Sequence, residues 1–414
     1  ETENCCMMGC LLTRSKYSGE EQDEDAADDT VSVVRRSRPI GTRVYLYKQD
    51  PTVHPIKRLK WFPDEILPGP RTEDCVICGV ADVRPSDEFG NFLFDPTQSP
   101  VEFDAIQTLV VVTNVLRMYR QLLEILDTKR NVHWQWGYEC IQIYPRMGEA
   151  LNAFYSRDQK ALCFYYYPSN TGNVIYTARS FDIVAHETGH AILDGMKPNW
   201  NGSRNPYTNA LHESFGDLSA IFAILDDFEM CESVIAHSRG NLHTHSFFPA
   251  IAEEFGNVLG LHIGLRNADQ DFCVTQVSSS GHDLSQVFTS AVYDILSDVY
   301  DLHVSPSKVN PAMTLYTVGK RLLSTFLTAI IKAPNKDANF YDVATLMIKN
   351  EPSRSTRRIM KTQFKRRQIL DKKLIDTHNE STMVLNPGAL CGYVYKSLMA
   401  TGYTMRGSFK SQYI

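Results

Sequence analysis

The chain predicts an α+β protein whose strands come early and whose helices dominate late. Three observations point there. Short runs rich in Val, Ile and Tyr, separated by Pro, Gly and Asp, recur up to about residue 177. A single long helical periodicity interrupts them between Asp104 and Leu126, where Ile106, Leu109, Val110, Thr113, Leu116, Tyr119 and Leu123 share one face. Beyond residue 197 the apolar spacing is helical almost throughout.

In order, residues 1–30 end in Glu20–Asp29, seven acids in ten residues without an aromatic, and read as a disordered acidic tail. An N-terminal α+β domain follows over 31–196, with strand-like runs at Val31–Val34, Arg43–Tyr47 and Val76–Val83. After the Asp104 helix come Tyr138–Tyr144, Asn152–Ser156, Ala161–Tyr167 and Val174–Thr177, and these lead into a helix capped by Ser180, with Asp182 in its first turn. Residues 197–414 read as a mainly helical C-terminal domain, with helices at Asn209–Phe222, Leu284–Val299, Ala312–Lys332 and Phe340–Lys349. The stretch Arg354–Lys373 carries nine Lys and Arg, a solvated helix face or a surface for an anionic partner.

Composition narrows the function classes. With 43% hydrophobic and 22% charged residues the chain is an ordinary globular protein rather than a fibrous or disordered one. A net charge of −6 gives no general attraction to nucleic acid. No apolar run is long enough to span a bilayer, and no signal peptide is visible. Ten scattered cysteines do not resemble a secreted disulfide framework, so the reading leans toward a reducing, cytoplasmic compartment. Cys75-Val-Ile-Cys78 is a lone C-x-x-C, without special role or a minor metal or redox site. Cys5, Cys6 and Cys10 are candidates for a thiolate that plugs a metal site.

The chemistry concentrates in Ser180–Met196, which contains His186-Glu187-Thr-Gly-His190. Residues four apart lie on one helix face, so His186 and His190 can converge on one tetrahedral zinc. Glu187, one step round, can reach a water beside the ion without binding the ion itself. The bland alternative is an amphipathic helix with two histidines, since Ile183, Val184, Ala191, Ile192 and Met196 make an ordinary apolar face. A catalytic zinc takes three protein ligands and leaves one position open. Glu213 on the next helix is the natural third ligand, and Asp217, one turn on, can reach back to a ligand imidazole. His212 is an alternative ligand that should point to a different face.

H-E-x-x-H followed about twenty residues later by a helical E-x-x-x-D resembles the gluzincins, and specifically the thermolysin family. Further motifs agree in order. Asn152-Ala153-Phe154-Tyr155 resembles the edge strand that holds a peptide substrate, and Asp182-Ile-Val-Ala-His186 the lead-in to the zinc helix. Leu265-Arg266 resembles the pair whose guanidinium holds the carbonyl after the scissile bond, and the run from Gly281-His282 to Tyr293 the helix start bearing the transition-state histidine. The resemblance implies a two-domain zincin with zinc in the cleft between an N-terminal half with the edge strand and a helical half. It also implies calcium, for which Asp182 matches one ligand while Ile224 stands at another, with Asp226 and Asp227 nearby. Val277 replaces an acid before the histidine, and the family's tyrosine has no counterpart in register, leaving Trp200 or Tyr207.

The expected activity is zinc-dependent hydrolysis of peptide bonds. Glu187 takes the proton of a zinc-activated water, and His282 stabilises the oxyanion. Asn152, Ala153 and Arg266 bind the peptide or protein substrate. Two rivals remain: a zinc-stabilised peptide-binding module without turnover, and a dedicated processing or toxin-like protease restrained by its own tail.

Overall fold

The computed structural model describes residues 41–382 apart from 54–56, 64–65, 127–131, 170–171, 261–263 and 306–308. The expected acidic tail, the Val31–Val34 run and Cys5, Cys6 and Cys10 lie outside the described residues. The chain divides into two compact units, Glu1–Pro39 and Ile40–Ile414, and all that follows concerns the second.

β1 (Thr42–Leu46) alternates as half-buried strands do, with Thr42, Val44 and Leu46 inward. It pairs antiparallel with β2 (Arg58–Phe62), from Thr42 opposite Phe62 to Leu46 opposite Arg58. β2 escapes sequence reading because its apolar Leu59 and Trp61 are exposed, leaving Phe62 as its buried anchor. β3 (Cys75–Ile77) is shorter than the expected run. α1 (Pro100–Ile125) carries the predicted apolar face and is buried along most of its 26 residues.

β4 (Ile141–Tyr144), β5 (Ala153–Ser156) and β6 (Ala161–Phe164) join β3 in a four-stranded sheet of order β3-β4-β6-β5. β3, β4 and β6 run parallel, and β6 is buried at every position, as parallel strands covered on both faces are. β5 runs antiparallel along β6 and forms the sheet edge. The expected strand Ala161–Tyr167 breaks at Tyr165, and β7 (Tyr166–Pro168) pairs instead with β8 (Val174–Tyr176).

A single 3₁₀ turn, Thr177–Arg179, leads into α2 (Phe181–Met196). Ser180 occupies the N-cap position, but its hydroxyl accepts no hydrogen bond from the helix. α3 (Pro206–Leu225) starts earlier than the periodicity suggested, because Asn205 caps it by accepting from the backbone of Tyr207 and Thr208. The chain continues through α4 (Phe228–Ser238), β9 (Ala250–Ile251), α5 (Glu253–Val258), β10 (Arg266–Asn267) and α6 (Gly281–His303). α7 (Pro311–Lys332), α8 (Phe340–Asn350), α9 (Arg354–Arg366) and α10 (Lys372–Thr382) complete it. The basic stretch thus resolves into α9 and the start of α10.

α2 and α3 pack along one another at the centre, with α1 on one side and α6 on the other. They come close because two glycines face the partner helix: a Cβ on Gly189 would lie 2.5 Å from Ser219 Oγ, and one on Gly216 2.7 Å from the His186 ring. The buried apolar side chains of both expected halves belong to one continuous core. Cys75 and Cys78 are both free thiols, and burial pushes the Cys75 thiol up to about 12, so it behaves as a core side chain. Among the described residues no helix is long and apolar enough to cross a membrane.

Candidate metal centre

Helical spacing puts His186 and His190 one turn apart on the face of α2 that meets α3, and their rings pack edge to face with centroids 4.5 Å apart. Glu213 enters from α3. His186 Nε2 lies 3.5 Å from Glu213 Oε2, and His190 Nε2 lies 3.6 Å from Glu213 Oε1. Bonds of about 2.0–2.1 Å to one tetrahedral ion would separate its ligand atoms by about 3.3–3.5 Å. The two His–Glu gaps are close to that separation, and the three side chains, all buried, offer donor atoms within 4.8 Å of one another. His190 Nε2 has no hydrogen-bond partner among the described residues, which is costly for a buried polar atom unless something else binds it. These residues can hold a metal ion.

The atoms behind the donors are committed elsewhere. His186 Nδ1 lies 2.8 Å from Asp217 Oδ1, the position from which a carboxylate fixes the ring's tautomer. Asp217 in turn accepts from Arg266 Nε at 3.0 Å and Nη2 at 2.6 Å. His190 Nδ1 meets His212 Nδ1 at 2.8 Å. His212 thus stands behind the His190 donor. His282, in the first turn of α6, brings Nδ1 to 3.0 Å from Glu213 Oε2.

The electrostatics follow. Burial disfavours a charged imidazole at His186, but Asp217 and Glu213 outweigh it and raise His186 to about 9. At His190 burial dominates and holds the ring well below its usual range, Glu213 opposing. Burial likewise drops His212 to about 4. Burial would raise Glu213, yet His282 and His190 hold it well below the carboxylate range. Asp217 is kept low against burial by Arg266 and His186.

The Glu187 carboxylate reaches the sheet edge, where its Oε2 accepts from the backbone N–H of Tyr155 on β5 at 3.0 Å. Two cavities flank it. One of about 60 Å³ on the His186 side is walled by Ile183, Ile251, Ala252, Phe255 and Leu265, with Asn152, Ala153, Arg266 and His282 at its margin. The other, of about 260 Å³ on the His190 side, runs past Tyr155, Arg157, Asn201 and His212.

Most sequence-predicted residues therefore gather here: His186, His190, Glu213, Glu187, Asp217, His282, Arg266, Asn152 and Ala153. Tyr207 and Trp200 do not. Tyr207 is fully buried against the Phe340 ring, and Trp200, equally buried, donates its indole N–H to Pro334 O. Asp226 and Asp227 are taken by lysines, Lys320 for the first and Lys48 and Lys60 for the second. Asp182 instead lies buried near Asp50 and Glu253. Sequence reasoning missed the Tyr155–Arg157–Asp194 group, although Tyr155 lies on β5 and Arg157 directly follows the strand. A second grouping, His243, Asp269 and Asp294, has its donors spent: His243 pairs with Asp269 at 2.8 Å and Asp294 with Arg367 at 2.6 Å.

No protein-family model matches this sequence, and none of the curated proteins does. Among solved structures the chain is similar to the precursor of protealysin, a metalloproteinase from Serratia proteamaculans. The TM-score is 0.43 at 12% identity, over 82% of this chain and 91% of that one. The case for a metal centre rests on the side-chain geometry.

Proposed function

We propose that this protein is a zinc-dependent metallopeptidase of thermolysin-like arrangement, with His186, His190 and Glu213 holding the ion between a sheet-bearing half and a helical half. The observation that carries the reading is the division of labour along α2: two imidazoles meet Glu213 from the next helix, while Glu187 stands apart in the same cleft. Two imidazoles and a carboxylate suit zinc better than the all-oxygen sets of calcium or magnesium. When bound, zinc would polarise a peptide carbonyl and bring the pKa of water toward about 7.

The chain's own residues supply the rest. Glu187, oriented by the Tyr155 N–H, takes a proton from water at its carboxylate and delivers it to the departing amine. His282, at a helix N-terminus, stabilises negative charge growing on the carbonyl oxygen. β5, as the edge strand, offers its backbone to an extended peptide, with Asn152 and Ala153 at the near end. Arg266, braced by Asp217, sits where the next carbonyl would pass, and the small apolar cavity receives a compact apolar side chain.

The test is metal analysis of the purified chain together with a peptide-library cleavage profile, for the parent and for Glu187→Gln. The variant should keep one zinc per chain and lose about 10²–10⁴-fold in kcat, the usual contribution of a general base. A variant that cleaves as fast as the parent ends the mechanism. A parent that binds zinc and peptide without cleaving is the binding module instead.

A further inference from the structure

Two side chains that line the larger cavity carry hydrogen-bond donors that no described residue satisfies. Arg157 donates through Nε to Asp194 Oδ2 at 2.8 Å, and through Nη2 to Asp194 Oδ1 and to Pro198 O. Its Nη1 has no hydrogen-bond partner among the described residues. Asp194 is wholly buried and also accepts from the Tyr155 hydroxyl at 2.7 Å, so the guanidinium is clamped in one orientation against α2. The second donor follows from tautomers. A His190 ring that offers the Nε2 lone pair to a metal carries its proton on Nδ1 and donates it to His212 Nδ1, 2.8 Å away. His212 then accepts at Nδ1 and must bear its own proton on Nε2. That nitrogen is buried, lacks a partner, and belongs to a side chain lining the same cavity as Arg157.

We infer that this cavity is a carboxylate-binding subsite, in which Arg157 Nη1 and the His212 Nε2–H hold a carboxylate that the peptide carries beside the bond to be cut. The inference rests on the metallopeptidase reading and adds its substrate class. A planar guanidinium matches a carboxylate better than it matches any neutral acceptor. Because Asp194 has already immobilised it, binding costs little side-chain entropy. An apolar residue placed there would leave both donors unpaired, and a site built to hydrogen-bond its ligand rejects analogues that lack the group. The surrounding charges allow it. Asp194 offsets Arg157, Asp158 is exposed, and two neutral imidazoles with one carboxylate around a divalent ion leave a net positive centre facing the cavity. Glu187 is the opposing charge, and its carboxylate is turned to Tyr155.

Such a carboxylate has two sources, an acidic side chain or a free C-terminus. The test compares matched peptides, Glu or Asp against Gln or Asn at each position around the cut, each with free and amidated ends. It measures kcat/KM on the zinc-loaded parent and Kd on zinc-loaded Glu187→Gln by calorimetry. A preference of tenfold or more for one carboxylate series, in either measurement, supports the subsite and identifies the source. Arg157→Lys keeps a cation for Asp194 but loses the planar fork, and should bring the ratio down toward 1. Arg157→Gln with Asp194→Asn avoids stranding a buried charge and should abolish the preference. Equal handling of acid and amide by the parent, or a ratio unchanged in both variants, overturns the inference. If the parent cleaves nothing, the metallopeptidase reading fails on its own, and the Kd comparison still decides the subsite.

Discussion

Gly216 shows how tightly the donors are held. Replacing a glycine within a helix by alanine ordinarily stabilises it by about 0.5–1 kcal/mol. Here the added Cβ would meet Cε1 and Nδ1 of His186 at 2.7 Å, so the ring must turn away from Glu213 and Asp217. Gly216→Ala should fold with unchanged circular dichroism and bind zinc tenfold or more weakly in competition with a chelating dye, as disturbed outer partners usually cost 10–100-fold. Parental affinity would mean the ring moves freely. His186 gives a second expectation. Its metal-free value of about 9 lies above the ordinary 6.5, so the stability it contributes is complete below about 6.5 and is lost as pH rises through about 9. Zinc needs the neutral ring, so loading metal-free protein at pH 7.5 should release about one proton from this group, read with an indicator in weak buffer. Loading without proton release contradicts the Asp217–His186 arrangement.

At the scale of elements, the start of α2 and the start of α5 meet in a group of acids. Asp50 and Asp182 are buried and Glu253 is half-buried with its carboxylate oxygens enclosed, and the side-chain oxygens of Asp182 and Glu253 have no hydrogen-bond partner among the described residues. Burial first, and then one another's charge, raises Asp182 well above its usual range and Glu253 to about 8. A carboxyl raised on folding stabilises below its unfolded value of about 4.5, and that stability is lost as pH rises through about 8. Thermal melts in chelator should therefore fall between pH 5 and pH 8.5, and a rise across that window would contradict the burial of these acids. A hard cation with oxygen ligands relieves the same repulsion, so millimolar calcium at pH 8.5 should recover the lost stability. Of the acids expected to bind calcium, Asp226 and Asp227 already serve lysines, so any stabilisation by calcium would act through Asp182 with Asp50 and Glu253.

For the whole molecule, the metal would join α2 to α3, the two helices around which the core is arranged. A ligand bound only by the folded state stabilises it by about 2.7 kcal/mol at a hundredfold excess over Kd. Chelation should therefore lower the melting temperature and abolish peptide cleavage together, and zinc should restore both. Magnesium should restore neither, because imidazole donors suit it poorly. A melting temperature indifferent to chelation would remove the metal from the structural account.

Spacing within single elements was enough to foresee the long α1, the paired imidazoles one turn apart on α2, and the Glu213–Asp217 pair on α3, because helix geometry sets which residues share a face. β5 was legible as a strand for the same reason. Spacing does not say what an element packs against. The 3.5 Å approach of Glu213, the His190–His212 contact, and the clamp of Asp194 on Arg157 depend on how α2, α3 and the sheet edge meet. β2 hid because its apolar residues face outward, and Tyr207 and Trp200 were candidates only until packing buried them. Local periodicity orients a side chain about its own axis, and only the packed core decides which partner it meets there.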